Sequence, residues 1–389
     1  MIQKELMDHY SNIILPYWSK LIDHKHGGFY GHVDYNLQVD VKSQKGVILN
    51  SRILWFYSSA YMHTGCSELK LYMEQAYNFL VNDCMDRKYG GVYWMLNYDK
   101  SISDNMKHTY NQAFAIYALS AYYEATKKKE ALDEALSLFC LIEEKCTDDF
   151  GYLEAFSQKW KPIANEALSE NGLLAEKTMN TLLHLLEAYT ELYKVSENRK
   201  VKERLYDILK LFEDKVYDKE NGKLHVFFDN EMKSISDLYS YGHDIEASWL
   251  LDRAAEIIGD AGMMKRTYAY TSVIAENIYQ IAYDNDSVKN ESFKAGVDET
   301  RVWWVQAEAI VGFCNAWQKT KNVKYLTAVK RIWNYVKQHM IQPQVGGEWF
   351  WEVNKEGNPI KEKPITEPWK CPYHNGRMCF EIKRRMENV

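Results

Sequence analysis

His243 and Glu246 stand three residues apart in the stretch Ser240-Tyr-Gly-His-Asp-Ile-Glu-Ala-Ser-Trp. On a helix they share one face, so the carboxylate reaches the imidazole or a ligand beside it. Trp249 extends that face. Asn180 and His184 lie four apart, with Glu176 on the same stripe, and Trp304 and Glu308 repeat the spacing beside Trp303. Arg52 sits among apolar neighbours in Asn50-Ser-Arg-Ile-Leu-Trp-Phe-Tyr, where an unpaired guanidinium is costly and calls for a carboxylate or an anionic ligand. The last stretch, Glu367-Pro-Trp-Lys-Cys-Pro-Tyr-His-Asn-Gly-Arg, brings Trp369 and His374 to the start of a final helix along a path stiffened by two prolines. Each group also has a plainer account, as a capped helix, a buried histidine with its hydrogen bond satisfied, or a core tryptophan.

Histidine both takes and gives a proton near neutrality, so several around one cavity suit a reaction that removes a proton and returns it. Inversion of a sugar carbon beside the carbonyl is one. Opening the ring makes the C2 hydrogen acidic, because the resulting anion is an enediolate, and reprotonation on the opposite face inverts the centre. That takes two bases, or one base and a rotation of the intermediate. Arg52 would stabilise the enediolate oxygens, and tryptophans would hold the rings. Three other readings compete. Three histidines and two acids could bind a metal, although His-x-x-x-His and Cys-x-x-Cys spacings are absent. Glu246 and Glu308 could be the facing carboxylates of a glycoside hydrolase. A sugar-binding protein without catalysis would keep the aromatics and need no bases.

Composition limits the setting. The chain has 389 residues, more than the usual domain of about 50 to 250, yet no Pro, Gly or Ser-rich linker divides it. We therefore expect one large closed catalytic domain over residues 1–389. A net charge of -6 without a basic block argues against nucleic acid and anionic membranes. The charged amino terminus lacks the apolar core of a signal peptide, and no uncharged run approaches the roughly 18 residues of a span. A soluble, cytoplasmic monomer is expected. Seven irregularly spaced cysteines form neither a disulfide framework nor a zinc site. The 12 Trp and 29 Tyr suit packing or sugar faces equally.

The elements that must position these residues recur. Gly-aromatic segments appear at Gly27-Gly-Phe-Tyr, Gly90-Gly-Val-Tyr-Trp, Gly151-Tyr-Leu, Gly222-Lys-Leu-His-Val-Phe and Gly346-Gly-Glu-Trp-Phe-Trp. Their spacing of about 60 to 70 residues implies six units, the missing one near Tyr283 to Phe293. Alternation within them predicts short strands or hairpins. Between them, stretches charged on one side, at about 2–21, 67–84, 128–145, 199–216, 262–281 and 322–340, predict outer helices. Stretches apolar on most sides, at about 48–62, 110–125, 177–194, 244–258, 303–318 and 375–384, predict inner helices. Six of each make an all-α (α/α)6 barrel, with an open solenoid as the rival fold. Arg52, Tyr110, His184, His243, Trp304 and His374 fall near the starts of the six inner helices, so closure would turn them toward one mouth.

The chain resembles the cellobiose 2-epimerases of the N-acylglucosamine 2-epimerase superfamily over its whole length. The resemblance rests on Gly46-Val-Ile-Leu-Asn-Ser-Arg-Ile-Leu-Trp-Phe-Tyr, Met106-Lys-His-Thr-Tyr-Asn, Asn165-Glu-Ala-Leu-Ser-Glu-Asn-Gly, Tyr241-Gly-His-Asp-Ile-Glu-Ala, Thr300-Arg-Val-Trp-Trp-Val-Gln-Ala-Glu and Trp369-Lys-Cys-Pro-Tyr-His-Asn-Gly-Arg-Met. It implies an (α/α)6 barrel without metal or organic cofactor that interconverts cellobiose and glucosyl-mannose and also takes lactose and other β-1,4-linked disaccharides. Carried over, His243 and His374 would be the acid-base pair at C2, and His184 would assist ring opening. Arg52 and Asn180 would steady the enediolate. Glu246 would support His243, and Glu308 would contact sugar hydroxyls. Trp303, Trp304, Trp369, Trp249 and Tyr110 complete the expected substrate site. The superfamily also holds N-acylglucosamine 2-epimerases and aldose-ketose isomerases.

Overall fold

In the computed structural model, which describes residues 2–167 and 173–387, the chain is mainly helical. The inner helices are α1 (Val47–Thr64), α2 (Thr109–Thr126), α3 (Met179–Ser196), α4 (Tyr241–Ile258), α5 (Trp303–Thr320) and α6 (His374–Met386). Each packs on the next, and α6 packs back on α1, which closes the ring and excludes the open solenoid. The amphipathic outer segments lie outside them. Ile2–His9 covers α6, Leu69–Phe79 covers α1, and Lys129–Lys145, Arg199–Leu211, Ala261–Ile281 and Val323–Tyr335 cover α2 to α5 in turn. The architecture is therefore the expected (α/α)6 barrel. No helix among the described residues is long and apolar enough to cross a membrane.

Inner helices are buried nearly all round, so apolar and small residues recur on every side of them. Outer segments expected as single helices contain π-helical turns at Tyr10–Ile14, Leu80–Cys84, Phe212–Val216 and Val336–Met340. One extra residue per turn hardly disturbs the apolar stripe, which is why periodicity did not show them. The unit expected near Tyr283 is present as the strand pair Tyr283–Asp284 and Ser287–Val288.

A repeated clip fastens four of the connecting hairpins to the inner helices they serve. Asp23 Oδ1 accepts the backbone N–H groups of Lys25 and His26, while Oδ2 takes the buried Lys45 ammonium at 2.6 Å. Lys45 lies immediately before α1. Lys107 on Asp86 at 3.0 Å, Lys177 on Asp148 at 2.6 Å and Lys370 on Glu348 at 2.7 Å serve other units. A second tie comes from the fourth residue of an inner helix. Asn50, Gln112, Asp244 and Gln306 accept the hairpin N–H groups of Phe29, Val92, Leu224 and Val288. Asp244, in the first turn of α4, is thus a fully buried tether.

Because Lys45 and Asp23 are 0 % and 1 % exposed, Asp23→Asn should leave a buried cation unpaired and destabilise the protein by about 3–5 kcal/mol in urea unfolding. Asp284→Asn is the control. Its partner Arg301 is 4.0 Å away and Asp284 is 44 % exposed, so the loss there should stay below about 1 kcal/mol.

Candidate active site

At the end of the ring where the inner helices begin lies a cavity of about 310 Å³. Arg52 of α1, Tyr110 of α2, Asn180 and His184 of α3, His243 and Glu246 of α4, Trp303 and Trp304 of α5, and His374 of α6 all line it. Trp369 and Trp351 close it from the loops. The volume is of the order used for small-molecule recognition. A neighbouring cavity of about 410 Å³ shares Asn180, His243, Trp304 and Trp351, so the space continues past the histidines. Ten of the twelve residues singled out from sequence line the first cavity, and Trp249 and Glu308 do not.

His243 and His374 flank one indole, their ring centroids 4.8 and 5.5 Å from that of Trp304. Gly242 makes this approach possible, since a Cβ there would meet the Trp304 ring at 2.5 Å. The glycine serves a close contact between two side-chain-bearing helices rather than a turn. Each imidazole is held from behind. His374 Nδ1 donates to Glu308 Oε1 at 2.7 Å, and His184 Nδ1 donates to Glu187 Oε2 at 3.0 Å. His243 Nδ1 lies 2.8 Å from the Ser240 hydroxyl. A carboxylate acceptor places the proton on Nδ1, which leaves the Nε2 lone pair of His184 and His374 for the cavity.

Burial keeps these rings neutral. It holds His243 at about 3, with His184 adding to the effect. It lowers His184 against the pull of Glu187, and it lowers His374, where Arg377 and Arg52 add to the effect. Burial and the nearby Glu308 push Glu246 up, opposed by Arg377. Glu246 Oε2 and Asn180 Oδ1 are buried without a partner among the described residues, and both residues face the cavity.

Arg52 is 2 % exposed. Its Nη2 donates to the Tyr110 hydroxyl at 2.7 Å and its Nη1 to the Trp369 carbonyl at 3.1 Å. The guanidinium also lies over Phe114 and Tyr373, at 4.1 and 4.8 Å from the centroids. Among the described residues no carboxylate pairs with it, so the charge remains available to an anion in the cavity.

Three expectations change. Glu308, expected on sugar hydroxyls, spends Oε1 on His374 and Arg377 and Oε2 on the Trp249 indole N–H, 3.0 Å away. It supports His374 instead. Glu246, expected behind His243, has its Oε1 on Arg377 and 3.8 Å from His374 Nδ1. Trp249 therefore braces Glu308 and does not touch the cavity. Sequence reasoning missed Trp351, although it stands in the Gly346 segment, and Glu187, although His184-x-x-Glu187 repeats the spacing of His243 and Glu246. It also assigned nothing to Arg377. The segment Asn165 to Gly172 is described only through Ala167, and Leu168 to Gly172 lie outside the described residues.

Glu246, Glu308 and His374 offer ligand atoms within 4.8 Å of one another. Arg377 Nη2 lies 2.5 Å from Glu246 and 2.7 Å from Glu308, so the position between the two carboxylates is held by a guanidinium.

The N-acylglucosamine 2-epimerase (GlcNAc 2-epimerase) family profile matches residues 28–375. The cellobiose 2-epimerase of Ruminococcus albus is 51% identical over 384 residues, covering 99% of this chain and 98% of that one. A solved sugar epimerase from a ruminal bacterium superposes with a TM-score of 0.99 at 49% identity, covering 100% of both chains. The cellobiose 2-epimerase of Bacillus thermoamylovorans superposes with a TM-score of 0.96 at 45% identity, covering 99% of each.

Long-range proton-nitrogen NMR correlations should find His184 and His374 neutral at about pH 7.5, with the proton on Nδ1. An Nε2–H signature for either would remove the carboxylate behind it as the group that sets its tautomer.

Proposed function

The chain belongs to the N-acylglucosamine 2-epimerase family, and from that premise we propose that it epimerises C2 of the reducing-end glucose of cellobiose, giving 4-O-β-D-glucosyl-D-mannose, and converts lactose to epilactose. The enzyme is a carbohydrate epimerase, an isomerase. The observation that carries the mechanism is the pair His243 and His374 lining one cavity with the Trp304 ring against both.

In this reading His184 passes a proton between the ring oxygen and the anomeric hydroxyl as the pyranose opens. One of His243 and His374 takes the C2 proton on Nε2. The electron pair of that bond moves into the carbon framework, and negative charge builds on the carbonyl oxygen. Arg52 stabilises that charge, its guanidinium being already desolvated and committed to no acid. Asn180 Oδ1 and Glu246 Oε2 meet sugar hydroxyls. The second imidazole takes a proton from solvent on its own Nε2 once the anion lies beside it and gives that proton to the opposite face of C2. The first passes its proton to solvent, so the centre is inverted and both rings end neutral. Trp303, Trp304, Trp351, Trp369 and Tyr110 pack on the rings. The same reading takes residues 1–389 as one catalytic domain acting as a cytoplasmic monomer. A glycoside hydrolase would need two free facing carboxylates, and Glu308 has neither oxygen to spare.

Cellobiose incubated in heavy water should yield a product mannose residue carrying deuterium at C2, read by NMR. A product without label would exclude an intermediate that exchanges with solvent, and unchanged sugar would remove the proposed substrate. His243→Ala and His374→Ala should each fold and each lose about a hundredfold to ten-thousandfold in kcat.

The pH profile follows from the sign of the histidine shifts. A base whose folded value is lowered stays deprotonated further into acid, and it is lost only as pH falls through that lowered value. With His243 near 3 and His374 also lowered, kcat/KM should stay flat as pH drops through 6.5. An acid limb at the free-imidazole value of about 6.5 would contradict the neutral-pair mechanism.

A further inference from the structure

Arg377, in the first turn of α6, does not reach the catalytic cavity. Its Nη1 donates to Glu187 and to the Tyr373 hydroxyl, and its Nη2 donates to Glu246 and Glu308. Those carboxylates come from α3, α4 and α5. One guanidinium, 2 % exposed and lying over the Trp249 and Tyr373 rings, therefore serves three buried acids on three helices. Two of the acids hold imidazoles, Glu187 behind His184 and Glu308 behind His374. On its other side Arg377 borders a separate cavity of about 260 Å³ that opens toward the opposite mouth of the barrel beside Glu187, Trp249 and Arg253.

We propose that Arg377 is a positioning residue that keeps Glu187 and Glu308 as hydrogen-bond acceptors, and so sets the proton on Nδ1 of His184 and His374, from a side of the barrel the substrate does not enter. The physical reason is the charge balance. Without the guanidinium, three carboxylates would share a desolvated space with no cation, and they would take up protons. A protonated Glu308 becomes a donor toward His374 Nδ1. The ring proton then moves to Nε2, the nitrogen that faces the cavity, and the lone pair that accepts a substrate proton is gone. Glu187 and His184 follow the same course. Lysine does not substitute, because a single ammonium lacks the planar fork that reaches acids on three helices.

The activity arm of the test rests on the proposed epimerase reading, whereas the spectroscopic arm stands apart from it. In folded Arg377→Ala, long-range proton-nitrogen spectra should show His184 and His374 losing the Nδ1–H signature. Turnover of cellobiose should fall about a hundredfold, with KM changed by less than about threefold. Methylguanidinium, entering through the far cavity, should restore part of kcat and the Nδ1–H signature, and methylammonium should restore neither. Should the alanine variant fail to fold, Arg377→Lys carries the same spectral readout with the same expectation. A folded variant that keeps both Nδ1–H signatures, or that turns over at the wild-type rate, would overturn the role assigned to Arg377. If the wild-type protein leaves cellobiose unchanged, the substrate proposal fails while the spectra still decide the part Arg377 plays.

Discussion

A histidine accepts a proton only through a nitrogen that carries none, so its other nitrogen must hold the ring proton against a fixed acceptor. In this barrel that acceptor is placed behind the imidazole, away from the cavity. Glu308 does this for His374 and Glu187 for His184. Burial favours the neutral ring, and the carboxylate selects the tautomer. The arrangement creates its own difficulty, because carboxylates at the axis of a helical ring are themselves expensive to bury. Arg377 offsets that cost for Glu187, Glu246 and Glu308 together, and the Trp249 indole N–H takes the remaining oxygen of Glu308. Imidazole, carboxylate and guanidinium form successive layers from the cavity toward the far mouth.

Such layering needs a closed ring. His184, His243 and His374 stand on α3, α4 and α6, and the guanidinium that joins the supports of His184 and His374 reaches acids on three neighbouring helices. In an open solenoid α6 would not pack on α1, and Arg52 would lose Tyr373 and the Trp369 carbonyl. The hairpin clips work toward the same end. A lysine fixed on a turn aspartate just ahead of α1, α2 and α3 determines where those helices start. The first two turns of each inner helix carry the cavity residues, so the register of the helix start becomes the register of the site.

The architecture was legible because inner and outer helices differ in how many of their sides are buried, a difference that survives as apolar periodicity. Even the weakly marked fifth hairpin could be placed near Tyr283 by spacing alone. Cavity residues were legible for a related reason. A histidine, arginine or acid within an otherwise apolar helix announces a special environment, and Arg52, His184 and His243 do so. Direction was not legible. A spacing of three or four puts Glu246 near His243 and Glu308 near Trp304, yet it cannot tell whether a carboxylate faces the cavity or the layer behind it. Glu308 and Trp249 were misplaced on that account. The aspartate-lysine clips escaped notice because Asp23 and Lys45 look like ordinary surface charges until the hairpin folds over them.

The commitments of the carboxylates also limit which chemistry this barrel performs. Ringed helical hairpins with acids at the centre could serve glycoside hydrolysis, in which one acid protonates the leaving group and another assists attack at the anomeric carbon. Here Glu308 accepts from His374, Arg377 and Trp249, and Glu187 accepts from His184, Tyr373 and Arg377. Of the three acids Glu187, Glu246 and Glu308, only Glu246 keeps an oxygen without a protein partner among the described residues. What lines the cavity is imidazole, the one unpartnered oxygen of Glu246 and one guanidinium without a counter-ion. That set favours a path whose charge appears as a delocalised anion beside a neutral base, and it offers little to an oxocarbenium ion, which an uncompensated Arg52 would repel. Glu308, one of the two acids a hydrolase would need, is turned back from the cavity and holds His374 and Trp249 instead.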